Sequence, residues 1–297
     1  MGPMTLRQLR LSAFICGSLL FAATQARAEL FLWEVRSMTN SAYIFGTIHA
    51  GKKEWFPLNE TIEQAFAESK VLAVEADVTD LDAMAKTVSA MAYEAPDELS
   101  KHVPPEDFER FKAQVARLRL AESVTKRVKP FAAVSMLMFA EWEKAGYSPQ
   151  FGIDAYLISK AKAMKKRVVE IEGVAAQSAL MDSLTEEEHR RAFAGMLKAL
   201  EDGLIIDQLD GMVKAWQSGD AFLMLELSRR YNEKIPGARE MEEKFIWSRH
   251  EAMLAKVEGY LNKSIEKHFI AVGSLHLAGK RGLIELLKAK GYVVKQK

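Results

Sequence analysis

The feature that most constrains the fold is a pair of apolar runs, near opposite ends of the chain, that each end in Gly-x-x-His. The first is YIFGTIHAG, where Gly46 precedes His49 by three residues, and the second is FIAVGSLHLAG, where Gly273 precedes His276. Short apolar runs of this kind are typical of buried strands. We therefore expect N-terminal and C-terminal strands to lie in one sheet, with both imidazoles beyond the carboxyl ends of their strands.

Six β-like segments are spread along the chain. The first two flank a turn-prone SMTN segment and indicate a hairpin. Three further short apolar runs are of the buried-strand type, and a last one follows Gly291. The six segments are 29–35, 41–47, 70–76, 166–172, 267–273 and 292–296. Helical periodicity fills the rest, including a long charged helix predicted over 240–260.

Several of the predicted helices have clear start signals. Asn59 is placed to cap the first, Pro105 and Pro130 to open two others, and Thr185 with Glu188 forms a capping-box pattern. No fixed-period repeat and no long Gly/Ser/Pro linker divides the sequence. We predict a single α/β domain over 29–297, a central mixed sheet with flanking helices and a large helical insertion.

The first 28 residues have the pattern of a cleaved signal peptide. Arg7 and Arg10 form a short positive region, residues 11–23 are apolar, and small residues end the segment at Ala28. The apolar part is shorter than the roughly 20 residues that a membrane-spanning helix needs. We expect a periplasmic or secreted protein with no stable membrane anchor after cleavage, and an uncleaved anchor is the alternative.

The composition excludes several classes of function. Cys16 is the only cysteine and lies inside the predicted leader, so the mature chain would lack thiolate zinc sites, iron–sulfur clusters and a cysteine nucleophile. The net charge is +1, and loss of the three leader arginines would leave 38 basic against 40 acidic residues. Such a near-neutral charge gives no electrostatic indication of nucleic-acid binding. The chemistry must use His, carboxylates, Arg and hydroxyls.

Acidic side chains follow the same strand ends as the two histidines. Glu75 ends the third strand segment, Glu172 ends the fourth, and Asp154 begins a helix. Two imidazoles and two or three carboxylates at one sheet edge suit a divalent cation such as Mn, Co, Zn or non-haem Fe. The alternative is that these residues only cap strands or pair with Lys and Arg. The two glycines are expected to allow a sharp backbone turn at each strand end.

The order of these motifs resembles that of the TraB/GumN family, which includes the TIKI metalloproteases and is distantly similar to erythromycin esterases. The resemblance covers nearly the whole mature chain. Its segments are YIFGTIHAG, LAVEADV, VKPFAAVSML, FGIDAYLISKAKAMKKRVVEIEGVAAQSALMDSL and VGSLHLAGKRGLIELLKAKGYVV. It implies a TIKI/erythromycin-esterase-like fold and a metal-dependent hydrolase, which acts as a protease in the TIKI branch.

The resemblance also implies roles for individual residues. The implied ligands of a divalent metal (Mn, Co or Zn) are His49, His276, Glu75 and Asp154. The implied catalytic groups are Glu75, Glu172 and Arg249, with a carboxylate as general base and the arginine stabilising an oxyanion.

Two positions depart from the family pattern. His250 stands where Asn usually follows the arginine, and Gly173 stands where Thr usually follows the glutamate. These departures bear on substrate handling more than on the metal ligands.

We therefore predict an exported metal-dependent hydrolase, peptidase-like, that acts on a peptide or small-molecule substrate. The alternative is a non-catalytic periplasmic binding protein that holds a metal, haem or peptide in the same cleft. A third possibility is a stable α/β domain whose histidines and acids only cap strands.

Overall fold

The computed structural model describes residues 29–297, and the predicted signal peptide lies outside the described residues. All six predicted strands are present, and each lies within or within one residue of its predicted segment. They are β1 (Leu32–Arg36), β2 (Ser41–Thr47), β3 (Val71–Val74), β4 (Arg167–Glu170), β5 (His268–Gly273) and β6 (Val293–Gln296). Within 29–297, no helix combines the length and apolar character needed to cross a membrane.

The six strands form one mixed sheet in the order β4-β3-β5-β2-β1-β6. β5 is parallel to both β2 and β3, and β3 is parallel to β4. β1 is antiparallel to β2, as the predicted hairpin requires, and also to β6. The four parallel strands therefore end at one edge of the sheet. His49, Glu75, Glu172 and His276 come shortly after these strand ends.

Helices flank this sheet and fill the long connections on either side of β4, which confirms the mixed α/β class. They are α1 (Glu60–Glu68), α2 (Leu81–Ala90), α3 (Pro105–Arg117), α4 (Glu122–Thr125), α5 (Pro130–Lys144), α6 (Ile153–Ala163), α7 (Val174–Asp182), α8 (Glu186–Glu201), α9 (Leu204–Gln217), α10 (Ala221–Asn232), α11 (Ala238–Phe245), α12 (His250–Asn262) and α13 (Leu283–Ala289).

The predicted helix starts are confirmed. The Asn59 side chain accepts from the backbone N–H of Thr61, and both hydrogen bonds of the Thr185–Glu188 capping box form. Pro105 and Pro130 are the first residues of α3 and α5, where a missing N–H costs nothing.

The long helix predicted over 240–260 is wrong, because the chain breaks there. α11 ends at Phe245, one turn of 3₁₀-helix covers Trp247–Arg249, and α12 begins at His250. Helical periodicity continues across the break, but Arg249 turns inward to two buried carboxylates at the sheet edge. The tertiary ion pairs explain why the local pattern misleads here.

Two main clusters of buried side chains hold the molecule together. One surrounds the sheet and includes Phe45, Phe269 and Ile270, all fully buried. The other lies among the helices and includes Phe111 of α3 and Phe193 of α8. The cleft described next opens between the sheet edge and this helical part.

Candidate active site at the carboxyl edge of the sheet

Three of the four parallel strands deliver side chains to one cleft. His49 follows β2, Glu75 follows β3, and His276 lies in a 3₁₀ turn (Ser274–Leu277) directly after β5. The carboxyl ends of parallel strands share an edge, so residues far apart in sequence meet there. Asp154 joins them from the first turn of α6, and Arg249 from the turn before α12; all five line the cleft.

His49 is the exposed histidine of the site. Its Nδ1 lies 2.9 Å from one carboxylate oxygen of Asp154, and the other oxygen accepts a 2.8 Å hydrogen bond from the Thr47 hydroxyl. The Asp154 charge raises the pKa of His49 to about 9, against the effect of burial. Of its side chain, 64% is open to solvent in the cleft. At neutral pH, His49 is therefore a protonated imidazole that faces the cleft.

Glu75 is buried beside it and ionised. One oxygen accepts from the backbone N–H of Gly273 at 2.6 Å, and the other from Gln177 at 3.2 Å and from Arg249. Burial alone would raise the pKa of Glu75, but the positive charges of Arg249 and His49 and the Gly273 N–H lower it below its usual range. Glu75 is thus a carboxylate at neutral pH.

Arg249 connects the two buried carboxylates. Its Nε donates to Glu172 at 3.0 Å, and one terminal nitrogen donates to both Glu75 and Glu172. The other terminal nitrogen donates to the Phe245 carbonyl at 2.7 Å, so the last turn of α11 also holds the guanidinium. Glu172 lies behind Arg249 and is absent from the cleft wall, unlike the other predicted site residues.

The loop after β4 is hydrogen-bonded to the backbone of Glu75, directly after β3. The backbone N–H groups of Glu172 and Gly173 donate to the carbonyl of Glu75 at 3.1 and 2.9 Å. Gly173 has φ of 95°, a left-handed value that a β-branched residue adopts only with strain. This explains glycine at the position where the family pattern has Thr.

His276 is the buried histidine of the site, with 2% of its side chain exposed. Its Nδ1 lies 2.9 Å from Nε2 of His250, and its own Nε2 lies 3.2 Å from a guanidinium nitrogen of Arg249. Burial lowers the pKa of His276 to about 3, despite the nearby Glu75 charge, and burial also lowers the pKa of His250. Both rings are neutral at physiological pH.

The expectation that glycine serves a sharp turn in the Gly-x-x-His motifs is wrong. Neither Gly46 nor Gly273 has a positive φ. A Cβ on Gly46 would overlap the Phe31 ring and lie 3.0 Å from the Ser274 backbone. A Cβ on Gly273 would project between Glu75, His276 and His49, at 3.3, 3.5 and 3.7 Å. Gly46 is therefore needed for space, whereas a methyl group on Gly273 would fit the fold but fill the space between the three site residues.

The predicted metal ligands gather around Gly273 without forming a metal-holding group. Across residues 29–297, no three or more His, Asp or Glu side chains are arranged to hold an ion. Asp154 is engaged by Thr47 and His49, and the Arg249 guanidinium lies between Glu75, Glu172 and His276. As they stand, these residues do not fit a metal, and the ligand set stays a prediction.

Two side chains of the site, Thr47 and Gln177, were missed from the sequence, and His250 was noted there only as a departure from the family pattern. Thr47 orients Asp154, Gln177 bonds Glu75, and His250 bonds His276. Gln177 lies inside one of the family segments, and Thr47 belongs to the first motif. These two could have been noticed, whereas the buried position of His250 depends on the helix break before it.

Above this polar floor the cleft is apolar. Its cavity holds about 460 Å³, and its charged lining residues are those of the floor. The walls come from the helical part and include Met138, Trp142, Met181, Leu209, Met212 and Phe245. A charged centre under apolar walls is the usual composition of a small-ligand or substrate site.

Comparison with known proteins identifies the family of this chain. The sequence profile of the TraB/PrgY/gumN family matches residues 31–296. The chain belongs to this family. No solved structure matches it.

Two kinds of family relative match most of this chain. The chain is 25% identical to Metalloprotease TIKI1 of Danio rerio and 24% identical to that of Xenopus tropicalis, over 91% of its length in each case. It spans 63% and 62% of those two relatives. It is also 22% identical to the uncharacterized protein YbaP of Shigella flexneri, over 88% of this chain and 95% of that one. Both TIKI relatives carry the name metalloprotease.

Proposed function

We propose that this protein is an exported hydrolase of the peptidase type, with its acid–base groups on the floor of the cleft. The observation that carries the proposal is the His49–Asp154 pair, which turns a protonated imidazole toward the cleft beside the ionised Glu75. Catalytic acids and bases whose pKa values are driven apart by their surroundings are typical of active sites. The leader pattern of the first 28 residues supports export.

The chain's own residues can carry the proton transfers of amide hydrolysis. A water oxygen attacks the substrate carbonyl carbon while Glu75 takes a proton from that water. His49 donates its Nε2 proton to the departing amine as the C–N bond breaks. Arg249, beside Glu75, places a fixed positive charge near the oxyanion that develops.

A divalent metal (Mn, Co or Zn) is the part of the proposal that the names of the TIKI relatives support. Bound in such a cleft, a metal would polarise the carbonyl or the attacking water. Because the Arg249 guanidinium lies among the side chains that would bind the metal, we assign no step of the reaction to the metal.

The cleft walls favour a substrate with large apolar side chains beside the bond to be cut. Three methionines line the cavity, and flexible thioether side chains adapt to apolar groups of different shape. Charged side chains at the same substrate positions would lose hydration without gaining an ion-pair partner in these walls.

The test is hydrolysis of a mixed peptide library by the purified mature chain, with added Mn²⁺, Co²⁺ or Zn²⁺ and with chelator. We expect cleavage next to apolar residues, with kcat/KM falling about 10² to 10⁴-fold in His49→Gln. His102→Gln is the matched control, because His102 also pairs with a carboxylate, at 2.8 Å from Asp97, but lies outside the cleft lining. No cleavage under any condition, or full activity in His49→Gln, would overturn the proposal. Binding of peptides without cleavage would support the non-catalytic alternative instead.

A further inference from the structure

We infer that His250 is a positioning residue that fixes the tautomer of His276. A chain of three hydrogen bonds runs from the protein backbone to the cleft floor. The Arg281 carbonyl lies 2.6 Å from Nδ1 of His250, and Nε2 of His250 lies 2.9 Å from Nδ1 of His276. Nε2 of His276 then lies 3.2 Å from a guanidinium nitrogen of Arg249.

The backbone end of this chain determines where the protons lie. A carbonyl oxygen only accepts, so Nδ1 of His250 carries a proton. In the neutral ring Nε2 is then unprotonated and accepts, so His276 donates to it from Nδ1. Nε2 of His276 is left unprotonated and can accept from the Arg249 guanidinium.

Packing keeps both rings in this orientation. His250 and His276 are 3% and 2% exposed, and their ring centroids lie 5.1 Å apart. The Trp247 ring meets His250 edge-on at 5.3 Å. A flip of the His250 ring would place C–H groups opposite the Arg281 carbonyl and the Nδ1–H of His276, and both would lose their partners inside the protein.

The tautomer matters because it keeps Arg249 in place. With the proton on Nε2, His276 would point a donor at the guanidinium, and its nearest acceptor would be Glu75, 3.7 Å away. His276 would then compete with Arg249 for the Glu75 carboxylate. His250 accepts the proton of Nδ1 of His276, which leaves Nε2 of His276 as an acceptor. Arg249 can then bridge Glu75 and Glu172 without competition.

The test is ring-nitrogen NMR of the mature protein labelled with ¹⁵N-histidine, without added metal. We expect both His250 and His276 of the wild type to show protonated Nδ1 and unprotonated Nε2. In His250→Gln, a side-chain carbonyl can accept from His276, so its Nδ1–H signature is kept. In His250→Leu no acceptor remains, and His276 shifts toward the Nε2–H form.

His268→Gln is the matched control. His268 is also buried and bonded through Nδ1 to a backbone carbonyl, that of Glu266 at 2.8 Å, but it lies at the start of β5, away from the cleft. Its loss should leave the His276 signals unchanged.

Two results would overturn the inference: a wild-type His276 protonated on Nε2, or an unchanged Nδ1–H signature in His250→Leu. If His250→Leu does not fold, the wild-type spectrum and His250→Gln still decide. The measurement does not depend on hydrolysis, so failure of the proposed function leaves it standing.

Discussion

The two Gly-x-x-His strand ends share a sequence pattern and differ in almost every chemical property. His49 is largely open to the cleft, is held by a carboxylate, and has a pKa raised to about 9. His276 is buried, is held by another imidazole, and has a pKa lowered to about 3. The partner that the fold supplies to each ring therefore decides its protonation state, whereas the local motif only brings the ring to the sheet edge.

The comparison also separates a reactive half of the floor from a structural half. His49 and Asp154 face the cleft, where the exposed ring can meet a substrate. Arg249, Glu172, His250 and His276 form a mostly buried network that holds Glu75 in position. Changes in the first half should alter activity, and changes in the second should alter stability, with activity also lost at Arg249 because of its proposed role at the oxyanion.

The largest effect on stability is expected from breaking the buried ion pairs. Glu75→Gln leaves Arg249 with one carboxylate, and should lower the free energy of unfolding by about 3 kcal/mol. Chemical denaturation with urea measures it. Glu243→Gln is the control, because the Arg281–Glu243 pair is more than half exposed and should matter by less than about 1 kcal/mol. Equal losses of unfolding free energy in Glu75→Gln and Glu243→Gln would contradict a structural role for the buried network.

Removal of the two histidines should show the contrast directly. His276→Ala leaves Nε2 of His250 buried without its donor, and should cost about 2 kcal/mol of unfolding free energy. His49→Ala removes a largely exposed ring but leaves the buried Asp154 carboxylate with Thr47 as its partner, and should cost less, about 1 kcal/mol. The reverse order in thermal or urea unfolding would show that the buried and exposed roles are misassigned.

The two motif glycines should respond differently to a methyl group. Gly46→Ala places Cβ against the Phe31 ring and the Ser274 backbone, and should destabilise the fold by roughly 1–3 kcal/mol. Gly273→Ala makes no contact closer than 3.3 Å, so stability should change by less than about 1 kcal/mol. Its Cβ enters the space between Glu75 and the two histidines, so hydrolysis should fall. Full activity in Gly273→Ala would weigh against that space as the reaction site.

The smallest expected effect is the pH dependence of the His49–Asp154 pair. Because Asp154 raises the pKa of His49, the pair's stabilisation is fully present below the ordinary value of 6.5 and is lost as the pH rises through about 9. The stability difference between wild type and Asp154→Asn should therefore be larger at pH 6 than at pH 10. A difference that grows with pH would have the wrong sign for this account.

The sheet and its edge could be predicted from the sequence because they follow from general rules. Apolar runs mark the strands, and parallel strands carry the residues that follow them to one edge. His49, Glu75 and His276 were found in this way, and all three line the cleft.

The buried network could not be predicted, because its members are joined only by tertiary contacts. Arg249 occupies its place through a helix break that the periodicity does not indicate, and His250 meets His276 across 26 residues. The reason for the motif glycines was also hidden, since the Phe31 ring beside Gly46 belongs to a neighbouring strand segment. Partners of this kind become apparent only when the chain is folded.

The most direct test of the central claim is an NMR pH titration of the ring C–H signals of His49 and His276 in the metal-free protein. The account predicts a midpoint near pH 9 for His49 and none for His276 down to about pH 3, as long as the protein stays folded. Two similar midpoints near 6.5, or a higher midpoint for His276 than for His49, would contradict it.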